Sequence, residues 1–208
     1  MRRIGLFGGT FDPPHCGHLM LAEWARVRLR LDRVVFVPAG TPPHKRGRRL
    51  TEAALRLTLT RLAVRGNPAF TVSGYEARRE GPSFTVDTLL HFHARHPAAR
   101  FYLLMGADSL ADFPHWHEPA EIARLATLVV AARPAGPAPG AAATPGASGR
   151  ALLPAGLRGR VVLLDNPPVA ISSSALRARA RAGRSLRYLV PDAVAAYVAR
   201  HGLYRRRA

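Results

Sequence analysis

The 208-residue sequence has one cysteine, one lysine, few acidic residues and no long apolar run. With Cys16 alone the chain can form no intramolecular disulfide and no all-cysteine zinc site, which suits a reducing compartment. No uncharged apolar stretch approaches the roughly 18 to 20 residues needed to cross a bilayer. Met1-Arg2-Arg3 leads only into Ile4 to Phe7 before Gly8-Gly9, too short for a secretory signal. A cytoplasmic protein is expected. Only 13 Asp and Glu stand against 31 Lys and Arg, a formal charge of +18 that raises the prospect of an anionic partner. Lys45 is the sole lysine among those cations, in a chain also heavy in Ala, Gly and Pro, so a coding bias toward arginine is the plain explanation of the excess. The lysine kept in Pro42-Pro43-His44-Lys45 then stands out, because a compact ammonium and a planar guanidinium are not interchangeable at a tight phosphate site. Aromatics make up only 7% of the chain, yet hydrophobic residues reach 48%, enough for one substantial core and against wholesale disorder.

Apolar spacing then orders the chain. Arg3 to Phe7 reads as a strand ending in Gly8-Gly9, and His18 to Leu31 as a helix through Leu19, Ala22, Ala25 and Leu29. Val34 to Val37 is a β-branched strand closed by Pro38, Thr51 to Val64 a helix stopped by Gly66-Asn67-Pro68, and Phe70 to Val72 a short strand. Ser83 to His96 is a helix, followed by strands at Phe101 to Met105, Leu128 to Ala131 and Val161 to Leu164. Helices at Ala175 to Ala182 and Pro191 to His201 close the chain. Alternation of near-continuous apolar strands with helices predicts an α/β fold, a doubly wound, mostly parallel sheet of Rossmann-like topology with a small C-terminal helical portion. Residues 1–208 are expected to form a single domain. Within it Pro134 to Gly149 uses only Ala, Pro, Gly, Thr and Ser, which cannot bury a core and predicts a mobile surface excursion.

Chemistry concentrates in Gly8-Gly9-Thr10-Phe11-Asp12-Pro13-Pro14-His15-Cys16-Gly17-His18, between the first strand and the first helix. Ligands of open parallel sheets bind at the carboxyl ends of the strands, and small residues before a helix start let backbone amides approach a phosphate. His15 and His18, three apart, can share one helical face. The spacing is neither GxGxxG nor GxxxxGK[ST], so no motif supports a dinucleotide oxidoreductase or a P-loop NTPase. Zinc is disfavoured as well, since Cys-Gly-His offers no standard ligand spacing and no second ligand pair follows.

The run Gly9 to Leu19 resembles the HxGH signature of the nucleotidyltransferase superfamily, and Ile171-Ser172-Ser173-Ser174-Ala175-Leu176-Arg177 resembles its second signature, ISSTxxR. Pro42 to Lys45, Pro82 to Leu89, Met105 to Leu110 with Trp116, and Tyr188 to Pro191 resemble the bacterial nicotinate mononucleotide adenylyltransferases, so the likeness covers nearly the whole chain outside the Ala/Pro/Gly segment. The resemblance implies transfer of an adenylyl group from ATP to nicotinate mononucleotide, with Mg²⁺. It implies that His15, His18, Lys45 and Arg177 are catalytic, His18 donating to the α-phosphate and Lys45 bridging nucleophile and triphosphate. ATP would further contact Gly8, Gly9, Thr10, Phe11, Gly106, Asp108, Ile171, Ser172 and Ser173. Thr85, Asp87 and Trp116 would join Lys45 on the acceptor, the Trp stacking on the nicotinate ring. Three positions depart from the pattern: Ser174 replaces Thr, Phe84 stands where Tyr is common, and His117 follows Trp116 where Tyr or Lys is frequent.

Other readings stay beside this one. An adenylyltransferase could act on nicotinamide mononucleotide or another phosphate acceptor. An Arg-rich nucleic-acid binder is motivated by the charge and by Arg205-Arg206-Arg207, but no recognisable motif supports it and the arginines are spread over several helices, so weak, non-specific binding is expected. Asp87 could simply brace its helix, and Trp116 could be a core aromatic. Assembly of identical chains is left open.

Overall fold

A computed structural model describes residues 1–42, 50–131 and 160–205. Lys45 and the Pro134 to Gly149 segment lie outside the described residues. Six strands, β1 (Arg3–Gly9), β2 (Arg33–Pro38), β3 (Phe70–Val72), β4 (Arg100–Met105), β5 (Ala126–Val130) and β6 (Val161–Leu163), form one sheet in the order β3-β2-β1-β4-β5-β6. Every pairing is parallel; Phe7 lies opposite Phe36 on one side and Leu104 on the other. The predicted doubly wound α/β fold is therefore present. Strand order reverses between β1 and β4, and at such a switch point the connections diverge and leave a crevice at the carboxyl ends.

Both faces of the sheet are buried, which is why the strands read as unbroken apolar runs. On one face Leu6, Val37, Leu103 and Leu128 pack under α3 (Thr85–Arg95) and α5 (Pro119–Leu125), with Val86, Leu89 and Ile122. Their neighbours Phe7, Phe36, Leu104 and Val129 face the opposite side and meet Ala22 and Ala25 of α1 (Cys16–Arg28) and Val64 of α2 (Ala53–Val64). A third core joins α2 to α6 (Ser173–Arg181) and α7 (Asp192–Arg200) through Leu59, Leu176, Val194 and Val198, so the C-terminal helices dock on the helix that follows β2. Fully burying such a side chain is worth about 1.5–3 kcal/mol, enough for these contacts to fix the C-terminal unit against the sheet.

Each predicted strand and helix is found, with ends shifted by a few residues. The first helix begins at Cys16 rather than His18, and it stops at Arg28, since Arg30 takes a left-handed backbone (φ 50°) that no helix continues. Between Gly106 and Leu125 apolar spacing predicts no element, yet here the chain forms α4 (Ala107–Asp112), a 3₁₀ turn (Phe113–His115) and α5. Among the described residues no helix is long and apolar enough to cross a membrane.

Candidate active site

A cleft of about 1110 Å³ opens at the carboxyl ends of the strands. Gly8, Gly9 and Thr10 line it from the end of β1, His15 and His18 from the start of α1, Gly106 and Asp108 from the β4–α4 junction, and Ile171, Ser172, Ser173 and Arg177 from the approach to α6. Thr85 of α3 and Trp116 line it as well. Among the described residues, two predicted for it do not. Phe11 is buried at 2% exposure beneath the site, and the Asp87 carboxylate pairs with Arg79 at 3.2 Å outside the cleft. The bracing role open to Asp87 is thus the one its contacts support. Phe11 supports the site from below, its ring meeting His18 edge-on at 5.0 Å. It takes a left-handed backbone (φ 49°), and a Cβ on Gly9 would sit 2.8 Å from its ring, so the second glycine of the pair is needed to let the aromatic tuck under the loop.

The two histidines form one unit. Their rings stack at 3.6 Å, and the His15 amide donates to Nδ1 of His18 (3.1 Å). A nitrogen that accepts this bond carries no proton, so the neutral His18 ring holds its proton on Nε2, a donor suited to a phosphate oxygen. His15 is buried, and burial pushes its imidazole down to about 4, so it is neutral at physiological pH. Its Nδ1 is buried with no hydrogen-bond partner among the described residues. Because the unfolded ring accepts a proton near 6.5 and the folded ring only near 4, this group withdraws stability as pH falls through that window. By NMR, His15 is expected to stay neutral down to about pH 5 in the free protein and to gain basicity when triphosphate is added. A ring titrating at its ordinary pKa in the free protein would contradict the buried, stacked geometry.

The two helix starts are more occupied than the sequence suggests. At α1 the Cys16 amide donates to Leu189 O (3.0 Å) and the His18 amide to His15 O (2.9 Å). At α6 Ser172 caps the helix by accepting from the Ala175 amide, Ser173 Oγ donates to Pro13 O (2.8 Å), and Arg177 Nη1 donates to Asp12 O (2.6 Å). The second signature is thus bound directly to the first, and Arg177 lines the cleft with one of its nitrogens already anchored.

Sequence reasoning missed three polar residues around this loop, Arg56 and Glu76 buried and Tyr204 half-buried. Arg56, 1% exposed, donates to the carbonyls of Thr51 (2.8 Å), Thr10 (2.9 Å) and Gly40 (2.8 Å). Tyr204 donates to Asp12 Oδ1 (2.8 Å). Glu76 lines the cleft near Ser83 and Thr85, and burial raises its carboxyl to about 6 while the Thr88 hydroxyl donates to it at 2.6 Å. An arginine on the apolar face of a predicted helix was the one available signal.

Residues 6–179 match the family model described as cytidylyltransferase-like. A relative from Thermomicrobium roseum named "Probable nicotinate-nucleotide adenylyltransferase" is 48% identical over 99% of this chain and 92% of its own length. Another of the same name, from Roseiflexus sp., is 48% identical over 97% of this chain and 98% of its own. The solved Plasmodium falciparum nicotinic acid mononucleotide adenylyltransferase complexed with NaAD superposes with a TM-score of 0.75 at 18% identity, covering 98% of both chains, which extends the likeness of fold across a wide sequence distance. With both signatures brought to one cleft and near-full-length likeness to these relatives, the chain belongs to the cytidylyltransferase-like family and, within it, to the nicotinate-nucleotide adenylyltransferases.

Proposed function

We infer that this chain transfers the adenylyl group of ATP to nicotinate mononucleotide, releasing pyrophosphate and forming nicotinic acid adenine dinucleotide, a step of NAD biosynthesis. The observation that carries the reading is the stacked His15–His18 pair at the head of a cleft shared with Arg177 and Trp116, in a chain 48% identical to relatives of that name. The nucleophile is a phosphate monoester whose second pKa is about 6, already dianionic at neutral pH, so the site needs no general base. It must instead orient two polyanions and stabilise charge at the α-phosphorus.

The chain's own groups take these roles. His18 Nε2–H donates to the α-phosphate, and His15 backs it, its imidazole gaining basicity beside the anion. Arg177 and the start of α6 at Ser172 and Ser173 hold the β- and γ-phosphates, while Gly106 and Asp108 hold the ribose. Trp116 stacks on the nicotinate ring, and Thr85 with neighbouring amides takes its carboxylate. Lys45, assigned from sequence alone, bridges nucleophile and triphosphate. The described residues gather no group of three His, Cys, Asp or Glu able to hold a metal. Mg²⁺ would therefore have to enter with the nucleotide rather than on a protein cage, and it would supply charge to offset the phosphates.

Purified protein given ATP, Mg²⁺ and nicotinate mononucleotide is expected to yield the dinucleotide and pyrophosphate in equal amounts, identified by mass, and no dinucleotide from nicotinate riboside, which lacks the phosphate. The rate should rise with pH through about 6 and then level, tracking the second ionisation of the acceptor. Adenylyl transfer to the riboside hydroxyl, giving a product with a single bridging phosphate, or a rate that climbs steadily above neutrality, would require a general base and overturn this mechanism.

A further inference from the structure

Asp12 is 1% exposed, and the C-terminal unit grips the chain around it at four points. Tyr204 Oη donates to its carboxylate, Arg177 Nη1 to its carbonyl, Ser173 Oγ to Pro13 O, and the Cys16 amide to Leu189 O. From the other side the Thr51 amide donates to Asp12 Oδ2 (3.2 Å), and the Arg56 guanidinium ties Thr51 O to Thr10 O and Gly40 O. The carbonyls that Arg56 holds follow β1, follow β2 and precede α2, so one buried cation fixes two of the turns at the head of the cleft relative to each other. Both ends of the Asp12–Tyr204 contact carry left-handed backbone: Phe11, the residue before Asp12, at φ 49°, and Tyr204 itself at φ 67°. Such conformations are unfavourable for residues with a Cβ and persist where surrounding contacts impose them. Neither Arg56 nor Tyr204 lines the cleft.

We propose that Tyr204 and Arg56 are positioning residues for adenylyl transfer, holding Thr10 to His15 in the one geometry in which the His15 amide caps His18 Nδ1 and leaves the His18 proton on Nε2. The C-terminal turn is by this account a working part of the catalytic loop, coupled to it through Asp12. The proposal rests on the adenylyl-transfer reading for its kinetic consequences, but its structural core can be observed without substrate.

Tyr204→Phe keeps the ring and removes one hydroxyl, so it tests the contact with little risk to folding. The expected result is a kcat about tenfold lower, with both KM values within about twofold of the parent, as when an interaction made in the transition state is lost. In ¹⁵N spectra of the free protein the His18 ring should shift from the pure Nε2–H tautomer toward a mixture. Arg56→Lys, which cannot reproduce a planar three-carbonyl fork, should lower kcat at least as far. An unchanged His18 tautomer in both variants, or a kcat loss matching only a loss of folded protein, would overturn the proposal. If the parent proves inactive on nicotinate mononucleotide while the tautomer still shifts in Tyr204→Phe, the functional reading fails and the positioning role stands.

Discussion

His18→Ala is expected to lower kcat by about 10²- to 10³-fold while leaving KM for ATP within about fivefold of the parent, the pattern of a donor that acts on charge developing in the transition state. The expectation follows from ring chemistry and placement. Nδ1 of His18 accepts from the His15 amide, which leaves Nε2–H as the donor, and the ring is held between Phe11 and the stacked His15. A donor fixed in this way needs no reorganisation as charge grows on the α-phosphate. His18→Gln carries an amide donor but lacks the stacked ring, and it should recover only part of the loss. Equal changes in kcat and KM, or a loss confined to KM, would assign His18 to ground-state binding instead.

Arg177→Ala is expected to lower kcat/KM for ATP by about 10²-fold or more, since a charge-assisted contact to phosphate and an internal brace disappear together. Arg177 lines the cleft while Nη1 is already given to Asp12 O at 2.6 Å. Its remaining donors are thereby aimed, and part of the entropy of fixing a long side chain is lost before any ligand arrives. Lysine at this position supplies charge from a single nitrogen without the planar fork, so it cannot reach Asp12 O and a phosphate with donors on separate nitrogens as arginine does. Arg177→Lys should therefore stay at least about tenfold below the parent. A full recovery by lysine would show that only net charge matters at this position.

The fold was legible where strands are doubly buried. Ile4 to Phe7, Val34 to Val37 and Phe101 to Met105 read as strands because both of their faces meet helices, and the glycines after β1 marked the site end of the sheet. Residues 106–125 are opaque, because helices of six and seven residues, with Pro114 in the turn between them and Pro119 opening the second, never display a full apolar period. The α1 start was misplaced because its cap is His15, which is not one of the usual capping residues.

At the site, spacing alone reads Arg177 as part of a solvated basic face with Arg179, Arg181 and Arg184; its place in the second signature singles it out, and the structure ties it to Asp12 O in the first. Arg56 and Tyr204 were hidden for opposite reasons. Thirty arginines make any one of them look like background, and Tyr204 sits beside a terminal run of charge whose plain reading is an anion-facing tail. Asp87 and Phe11 lie in the segments that resemble the family, and their contacts in the structure are an ion pair with Arg79 and a ring packed against Phe7 and His18.

The most direct test of the account is pyrophosphate release by the purified protein with ATP and Mg²⁺, comparing nicotinate mononucleotide with nicotinamide mononucleotide at equal concentration. A strong preference for the acid is expected, about 10²-fold or more, because donors at Thr85 and its neighbours that suit a second carboxylate oxygen would face the NH2 of the amide. Equal or faster release with the amide would keep adenylyl transfer and overturn the acceptor site, and no release with either would contradict the central claim.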